Sequence, residues 1–336
     1  TKILKSIQSI NEVQKILNTF ISAFEELSHE SNGNHWLSGN LKLGGTQSGR
    51  LSSNSPNMQN LPSNSKYGKA VKSCFIAPEG WLIGGADFSS LEDRINAILT
   101  QDPNKIKVYT DGFDGHCLRA FSYFGDQMPD IIDTVKSINS IETKYEALRQ
   151  KSKQPTFALT YLGTYITLMK NLGMTEEEAR SIEDNYHKLY EVSDEFSDGQ
   201  IDLAMEHGWI ECAFGLKLRT PLLRDTIKSK NHIVYAASAE GRSAVNAVTQ
   251  SWGLLINRAL IDIVNRLIIS KFRRNIAPIN TIHDAGYFLI KDDTDTIDWL
   301  NRNLIEAMEW NDHPKIKSSD VPMKAELTIG KSWDKQ

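Results

Sequence analysis

The chain of 336 residues is poor in cysteine and contains no long apolar run. Its three cysteines, Cys74, Cys117 and Cys212, stand far apart without a C-x-x-C pair. This spacing predicts neither a disulfide framework nor a zinc site, and it favours a reducing compartment. No apolar stretch approaches ~18 residues, and the N-terminus lacks the apolar core of a signal peptide. We therefore expect a cytoplasmic globular protein with no membrane partner.

An excess of positive charge is also lacking, because 38 Lys and Arg residues stand against 42 Asp and Glu residues. A net charge of −4 argues mildly against nucleic-acid binding when it is taken alone. Basic residues nevertheless cluster at 149–153, 217–230 and 271–274. Binding depends on where positive charge lies on the surface, so the overall balance excludes no class of partner.

The order of apolar and polar segments outlines the secondary structure. Residues 1–28 carry apolar positions at helical spacing, and 105–235 are mainly helical in pattern, whereas 238–272 form the longest periodic helix pattern. Residues 31–69 are rich in Gly, Ser, Asn and Pro and predict a long, mostly irregular stretch. Structureless segments of that length are uncommon in compact domains unless they have a function.

A carboxylate stands in the middle of an apolar run near the C-terminus. The segments INTI (279–282) and YFLI (287–290) predict two short strands joined by a tight turn, with Gly286 easing the backbone. This hairpin would raise His283 and Asp284 to its tip. An ionised carboxylate in such a run must be paired, bound to a metal or lifted to a turn. Taken alone, the pattern is better explained by a turn-forming Asp of the Asx type.

A second carboxylate, Asp87, ends the predicted strand WLIGGA (81–86) immediately before a helix. A helix cap is the simpler interpretation of this residue by itself. If Asp87 and Asp284 end strands of one sheet, their charges repel unless cations lie between them. Oxygen ligands in such an arrangement suit Mg²⁺ or Mn²⁺, and a pair of these ions can clamp the attacking and leaving oxygens of a phosphoryl transfer.

One predicted helix combines positive charge with aromatic rings. Arg149, Lys153, Phe157 and Tyr161 recur every four positions and would form one stripe along the helix. The two cations could hold a triphosphate, and the two rings could stack on a base. The alternative is a solvated basic turn that leads into an aromatic pair facing the core.

Seven segments in fixed order resemble the family A DNA polymerases. DFSSLEDR (87–94) resembles motif A, the Arg149–Tyr161 pattern resembles motif B, and His283-Asp284 resembles motif C. SGRLSSNSPNMQNLP (48–62), Asp114-Gly-His116 and the Arg242, Asn246, Gln250 helix pattern resemble further elements of the family, as does the C-terminal VPMKAELTIGKSWD. The likeness runs from about Asn34 to the last residue.

The resemblance implies an α+β fold: a right-hand polymerase palm of antiparallel sheet with flanking helices, a mostly helical fingers insertion, and a thumb that is largely absent. It assigns 1–33 to the end of the thumb or a helix leading into the palm. Residues 34–104 become the first part of the palm, 105–235 the fingers and 236–336 the second part of the palm.

The activity implied by the resemblance is template-directed DNA synthesis. Deoxynucleotides would be added to a primer 3′-hydroxyl by two-metal-ion phosphoryl transfer with release of pyrophosphate, on primer-template DNA and dNTPs. Asp87, Asp284 and the carbonyl of Phe88 would bind two Mg²⁺ ions, with Mn²⁺ as a substitute. The alternatives are a catalytically idle palm that acts as a replisome binding module, and a single-subunit RNA polymerase.

By the same resemblance, Arg149, Lys153 and His116 would bind the triphosphate, and Lys153 could protonate the leaving group. Phe157 would discriminate against dideoxynucleotides, and Tyr161 would stack near the templating position. Glu92 would exclude a ribose 2′-hydroxyl, although Ser89 and Glu92 also fit a capping box. The residues expected along the duplex are Arg50, Asn57, Gln59, Asn60, Arg242, Asn246, Gln250 and His283.

Several positions depart from the family pattern. Ala285 replaces the acidic residue that usually follows the motif C aspartate, Leu162 replaces a Gly, and Pro155 lies inside the motif B helix, where it should kink the helix or delay its start. These departures indicate a bacteriophage branch, and hence the host-cell cytoplasm. The short segment before Asn34 predicts a C-terminal palm-and-fingers portion without a proofreading exonuclease. An N-terminal polymerase portion or a separate subunit would then carry the thumb.

Overall fold

The structure is a computed structural model that describes residues 2–62, 67–226 and 235–335. It divides into two compact units. The first comprises Thr1–Leu91, Gly253–Trp310 and Met323–Gln336, and the second comprises Glu92–Trp252 and Asn311–Pro322. These bounds differ from the predicted domain boundaries, which placed the transitions at 104/105 and 235/236. Of the basic run at 217–230, positions 227–230 lie outside the described residues.

The first unit begins with helices and two small hairpins. Its first elements are α1 (Lys2–Ile16), a π-helical turn (Leu17–Ile21), α2 (Ser22–Leu27), β1 (Ser28–Ser31), β2 (Asn34–Leu37), β3 (Asn40–Lys42), β4 (Ser52–Asn54) and α3 (Gly68–Ser73). Strand β1 pairs with β2, and β3 pairs with β4, both antiparallel. The predicted irregular stretch therefore contains short paired strands, whose polar and glycine-rich sequences hide the two-residue periodicity on which strand prediction depends.

A four-stranded antiparallel sheet forms the centre of the first unit. Its strands are β5 (Trp81–Phe88), β8 (Ile276–Ile282), β9 (Ala285–Lys291) and β10 (Ala325–Gly330), in the spatial order β10-β5-β9-β8. Helices α15 (Leu255–Ile269) and α16 (Thr294–Met308) pack against this sheet. The rings of Phe24, Phe75, Trp333 and Tyr287 form a continuous series with centroids 5.4, 5.3 and 4.7 Å apart. This series ties α2 and the C-terminal 3₁₀ turn to β9.

The predicted hairpin is confirmed, with β8 and β9 joined by the two residues His283 and Asp284. The assumed role of Gly286 in the turn is wrong. His283 takes the left-handed conformation that the turn requires, with φ of 54°, whereas Gly286 lies within β9. A Cβ at Gly286 would stand 3.1 Å from Cδ2 of Leu260, so the glycine lets α15 approach the sheet closely.

The second unit is mainly helical. Its helices are α4 (Leu91–Thr100), α5 (Pro103–Thr110), α6 (Gly115–Phe124), α7 (Val135–Asn139), α8 (Ile141–Lys144), α9 (Glu146–Thr160), α10 (Tyr165–Leu172), α11 (Glu176–Leu189), α12 (Glu191–His207), α13 (Pro221–Thr226) and α14 (Tyr235–Gln250). Strands β6 (Trp209–Glu211) and β7 (Lys217–Arg219) form a small antiparallel hairpin. One core packs α6, α9 and α11 around fully buried Tyr190, Leu168 and Ile141.

The long helix pattern at 238–272 is divided in the structure. Helix α14 ends at Gln250, a 3₁₀ turn covers Ser251–Leu254, and α15 follows. The Ser251 hydroxyl donates to the carbonyl of Val248 (3.0 Å) and accepts from the amide of Ala213 (2.8 Å). A buried serine that bonds to a distant amide is not visible in an apolar periodicity. In the part of the chain that is described, no helix combines the length and apolar character that crossing a membrane requires.

Candidate active site

Two aspartates lie together at one end of the two interior strands, β5 and β9, of the central sheet of the first unit. Asp87 is the penultimate residue of β5, and its antiparallel partner across the ladder is Ala285, the first residue of β9. Asp284 immediately precedes Ala285 in the hairpin turn. The chain thus brings together two carboxylates that stand far apart in the sequence, in the arrangement inferred from two strand ends.

The charges of the two carboxylates interact. Desolvation and, second, the negative charge of Asp284 raise the pKa of Asp87 to about 6, against a smaller lowering by the amide of Phe88. A carboxylate whose ionisation is opposed by its neighbour is a ready ligand for a cation, because a divalent ion removes the repulsion.

The oxygen atoms at this end of the two strands fit Mg²⁺. Among residues 2–62, 67–226 and 235–335, no group of three His, Cys, Asp or Glu side chains is arranged to hold a metal. Two carboxylates and a main-chain carbonyl, that of Phe88 at the end of β5, would leave several coordination positions to water and phosphate oxygens. Mg²⁺ keeps several waters and is usually bound by one or two carboxylates together with substrate phosphates.

Sequence reasoning missed a third acidic residue near this end of the strands. Glu326 on β10 is the antiparallel partner of Asp87 and is exposed. Directly opposed residues of antiparallel strands project from the same face of a sheet. The C-terminal strand had been recognised as a segment, but the register that sets Glu326 opposite Asp87 could not be deduced without the pairing of β5 with β10.

The basic and aromatic residues of motif B lie on α9 in the second unit. Arg149, Lys153 and Phe157 belong to the helix, whereas Tyr161 follows its last residue. The stripe predicted for four residues therefore holds for three. The expected delay of the helix at Pro155 is wrong, since α9 begins at Glu146 and continues through the proline. The proline removes one backbone donor, but the neighbouring positions Ser152, Thr156 and Leu159 are buried, so tertiary packing maintains the helix.

Arg149 is held by the acidic residue of the D-x-H element. Its Nη2 donates to Oδ2 of Asp114 at 2.7 Å, and Asp114 also caps α6 by accepting from the amide of Cys117 at 2.8 Å. Desolvation opposes ionisation of Asp114, but the bonds from Arg149 and Cys117 prevail and lower its pKa to about 2. Asp114 is therefore ionised at neutral pH, and a phosphate would share Arg149 with it.

His116 lies among positive charges. Burial lowers the pKa of its imidazole, and the charges of Arg119, Lys153 and Arg149 lower it further, against the opposing effect of Asp114. These influences show that three residues predicted to bind a triphosphate, His116, Arg149 and Lys153, share one neighbourhood within the second unit. A polyanion placed there would meet two permanent cations and a neutral hydrogen-bonding ring.

Glu92 and Tyr161 contact each other directly. The Tyr161 hydroxyl donates to the Glu92 carboxylate, and the rings of Phe157 and Tyr161 meet edge to face with centroids 4.7 Å apart. Asn246 of α14 donates to the Tyr161 carbonyl at 3.1 Å. Residues from three separate motifs thus form one cluster. The sequence analysis had predicted a separate role for each of them and no contact between them.

The capping box predicted for Ser89 and Glu92 differs from the structure. Helix α4 begins at Leu91, so Ser90 precedes it, and Glu92 is its second residue rather than its third. Ser90 has a φ of 55°, and the amide of Ser89 donates to the carbonyl of Lys324 at 2.8 Å. The residue that precedes β10 therefore binds the segment that a local cap was expected to organise.

The residues predicted to line a duplex fall in both units. In the first unit, Arg50, Gln59 and His283 line one small cavity together with Asn257, which sequence reasoning missed. Gln59 donates to the carbonyl of Thr281 at 3.1 Å, and Asn57 accepts from the side chain of Asn60 at 3.2 Å. The first bond holds the loop after β4 against the strand that leads to His283, and the second lies within the loop.

In the second unit, Arg242, Asn246 and Gln250 are half-buried along α14. The Arg242 guanidinium donates to the hydroxyl of Ser238 at 2.7 Å. Because Asn246 is bonded to Tyr161, one of the three predicted duplex residues also supports the aromatic end of motif B.

Comparison with known proteins identifies the fold and the family of this chain. The solved structure of the POL domain of Pol1 from M. smegmatis, in complex with DNA primer-template and dNTP, is similar to this chain with a TM-score of 0.78. The similarity covers 98% of this chain and 53% of that one, at 23% identity. The shared fold is the α+β fold of a polymerase I polymerase domain, with an antiparallel sheet and many helices.

The sequence matches the family described as DNA polymerase family A over residues 1–335, and the chain belongs to this family. It is 26% identical over 334 residues to DNA polymerase I of Pseudomonas aeruginosa. That alignment covers 98% of this chain and 33% of the relative. It is 25% identical over 333 residues to DNA polymerase I of Bacillus subtilis. That alignment covers 98% of this chain and 34% of the relative. The chain spans about a third of the length of these curated relatives.

Proposed function

We propose that the chain is a template-directed DNA polymerase that adds deoxynucleotides to a primer 3′-hydroxyl by two-metal-ion phosphoryl transfer and releases pyrophosphate. The observation that carries the proposal is the convergence of Asp87, at the end of β5, with Asp284 in the β8–β9 turn, where desolvation and then the charge of Asp284 raise the pKa of Asp87 to about 6. Membership of DNA polymerase family A supports the same activity.

The metal ligands in this proposal are Asp87, Asp284 and the carbonyl of Phe88, for two Mg²⁺ ions with Mn²⁺ as a substitute. When bound, such ions supply the positive charge that favours the attacking alkoxide and the leaving pyrophosphate. The contribution of the chain is to hold two carboxylates side by side on a sheet, whose ladder hydrogen bonds fix the separation of the strands.

The triphosphate is bound by Arg149, Lys153 and His116. Arg149 offers a planar fork of donors, Lys153 a compact charge that can also give a proton to the leaving group, and His116 a neutral ring. Phe157 lies against the sugar, and Glu92, fixed by Tyr161, excludes a 2′-hydroxyl. Tyr161 stacks near the templating base.

The primer-template duplex is bound by polar side chains that read shape rather than sequence. Amide and guanidinium donors can reach the acceptors that every base pair presents in the minor groove. The residues proposed for this role are Arg50, Asn57, Gln59, Asn60, Arg242, Asn246, Gln250 and His283. The solved M. smegmatis domain holds a primer-template and a dNTP, which supports the same two partners here.

A further polymerase portion is the partner that we propose for α1. Apolar residues at helical spacing are exposed on α1 and the turn that follows, with Ile3 74%, Leu4 60%, Ile7 47%, Ile10 55% and Leu17 48% exposed. Exposed apolar rows of this kind mark surfaces that another element covers. We assign the first unit to the palm with the end of the thumb, and the second to the fingers. The N-terminal portion, on this chain or on a separate subunit, supplies the rest of the thumb.

The departures at Ala285 and Leu162 are the basis for proposing a bacteriophage-type enzyme that works in the host cytoplasm. Leu162 takes a φ of 59°, a conformation that favours glycine, so this chain tolerates backbone strain at a position where the family usually has Gly.

Primer extension in Mg²⁺ tests the proposal against its alternatives. We expect the chain to extend a primer with the complementary dNTP, and to do so more processively when an N-terminal polymerase portion is added. Extension with rNTPs in preference to dNTPs would identify an RNA polymerase instead. Duplex binding without any extension, with or without the added portion, would identify an idle binding module.

A further inference from the structure

Arg119 on α6 is a buried cation, and each of its three guanidinium nitrogens contacts another side chain. Only 7% of the residue is exposed. Its Nε donates to the Tyr190 hydroxyl at 3.0 Å, its Nη2 contacts Oδ1 of Asp93 at 3.1 Å, and its Nη1 lies 3.5 Å from Nδ1 of His116. Each nitrogen therefore has a different partner, and one of the three is a ring in the proposed nucleotide site.

The contact with His116 determines which ring nitrogen carries the proton. An arginine can only donate, so Nδ1 of His116 must accept, and in the neutral ring the hydrogen then resides on Nε2. The surrounding charges act in the same direction. Arg119 from α6 and Lys153 and Arg149 from α9 disfavour an imidazolium, and Asp114 before α6 opposes them only in part.

Asp93 fixes the fork at its other end. One carboxylate oxygen meets Arg119, and the other accepts from the Tyr109 hydroxyl at 2.9 Å. Desolvation acts to raise the pKa of Asp93, but the charges of Arg119 and Lys105 prevail and lower it. Asp93 follows Glu92 on α4, so the fork connects the helix that carries the proposed sugar gate with the ring that is proposed to meet the phosphates.

We propose that Arg119 is a positioning residue of the nucleotide site, which holds His116 as a neutral Nε2–H donor for a phosphate oxygen of the incoming triphosphate. This inference rests on the proposed function, because it assumes that His116 meets the triphosphate. Arg119 itself contacts no substrate. Its effect is to keep the ring in one tautomer and one orientation before the ligand arrives, which reduces the ordering cost of binding.

The tautomer is measured directly by long-range ¹H–¹⁵N NMR of the ¹⁵N-labelled full chain at pH 7.5, with His116→Gln used to assign the ring signals. We expect the Nε2–H pattern in the wild type. In Arg119→Lys, a single ammonium that follows Asp93 cannot also reach Nδ1, so the tautomers should mix.

Tyr190→Phe is the matched control, because it removes the acceptor of Nε and leaves the contact with His116. We expect it to lower the melting temperature but to keep the Nε2–H pattern. An Nδ1–H or imidazolium pattern in the wild type, or an unchanged tautomer in Arg119→Lys, would overturn the proposal. This measurement needs no catalysis, so its result is independent of whether the chain proves to be a polymerase.

A double-mutant cycle on single-nucleotide incorporation separates positioning from general damage. Arg119→Lys should raise KM for the dNTP by about tenfold, the effect of weakening one hydrogen bond to a charged group, while kcat changes little. In a His116→Ala background the same substitution should leave KM unchanged, because Arg119 acts through the ring. Multiplicative effects of the two substitutions on KM would show a purely structural role and refute the inference.

Discussion

Asp87 and Asp284 are the residues on which the proposed chemistry depends, and the charge of Asp284 opposes the ionisation of Asp87. The raised pKa of Asp87, about 6, means that the folded chain binds a proton at this position more tightly than the unfolded chain does. Protonation of Asp87 therefore stabilises the folded chain. This stabilisation is fully present below the unfolded pKa of Asp87, near 3.8, and is lost as the pH rises through its folded pKa of about 6.

Asp87→Asn should make the metal-free protein more stable than the wild type at pH 7, because the amide has no charge to desolvate and none to repel Asp284. The difference in melting temperature should shrink as the pH falls to about 4.5, where wild-type Asp87 takes up its proton in the folded state. Thermal melts in EDTA at both pH values measure this, with Asp298→Asn, an exposed carboxylate on α16, as control. Addition of Mg²⁺ at pH 7 should raise the melting temperature of the wild type but not that of Asp87→Asn.

Glu92 should control the choice of sugar. Glu92→Ala should increase the incorporation of ribonucleotides by about tenfold or more, the order of effect of a single small group in a binding pocket. Tyr161→Phe is the informative companion, because it removes the hydroxyl that donates to Glu92 and keeps the carboxylate. It should relax discrimination less than the alanine does. Equal discrimination in wild type and Glu92→Ala, measured as the ratio of kcat/KM for dNTP and rNTP, would remove Glu92 from this role.

Phe157 should set the response to a missing 3′-hydroxyl. Its ring is 67% exposed and lies edge to face with Tyr161, so an added hydroxyl has room. Phe157→Tyr should improve dideoxynucleotide use by about tenfold, because the phenol can replace the hydrogen bond that the sugar lacks. Phe121→Tyr on α6 is the matched control and should change nothing. Unaltered dideoxynucleotide use in Phe157→Tyr would show that Phe157 does not lie against the sugar of the incoming nucleotide.

At the scale of helices and strands, the elements with strong periodicity were predictable and their junctions were not. The hairpin with His283 and Asp284 at its tip follows from two apolar strands around a polar pair. The left-handed φ of His283, the opposition of Glu326 to Asp87 and the contacts of Arg119 depend on residues far away in the chain. Register and buried ion pairs carry no local signal, so these parts of the site required the structure.

The end of α9 is a junction of this kind and can be tested. The amide of Gly163 donates to the carbonyl of Ala158 at 2.9 Å, and a Cβ at Gly163 would stand 2.6 Å from that oxygen. Gly163→Ala should therefore cost about 1–3 kcal/mol of stability and raise KM for dNTPs, because the turn that places Tyr161 must move. A melt and a KM measurement report both effects.

Gly199→Ala provides the opposite case for comparison. Gly199 lies inside α12, and a Cβ there would meet nothing within 4 Å. An alanine should stabilise the helix by about 0.5–1 kcal/mol and leave KM unchanged. If both alanines had the same effect on the melting temperature, the close approach at Gly163 would not be what determines that turn.

At the scale of the whole molecule, the net charge of −4 did not exclude a nucleic-acid partner. The positive charge is placed locally, as in the group of Arg149, Lys153 and Arg119 within the second unit. The exposed isoleucines of α1 are the surface for which we propose a further polymerase portion as partner, and the curated relatives are about three times as long as this chain. The fold class could be inferred from seven ordered motifs, whereas the division into two units at 91/92 and 252/253 could not.

The proposed DNA synthesis depends on Asp87 and Asp284 acting as one metal-binding pair. Single-nucleotide incorporation on a primer-template in Mg²⁺ by Asp284→Asn, beside wild type and Asp298→Asn, tests it most directly. We predict that Asp284→Asn loses at least about a thousandfold in kcat, on the scale seen when a transition-state charge stabiliser is removed, and still binds the duplex. Asp298→Asn should match the wild type. Incorporation by Asp284→Asn at the wild-type rate would contradict the account.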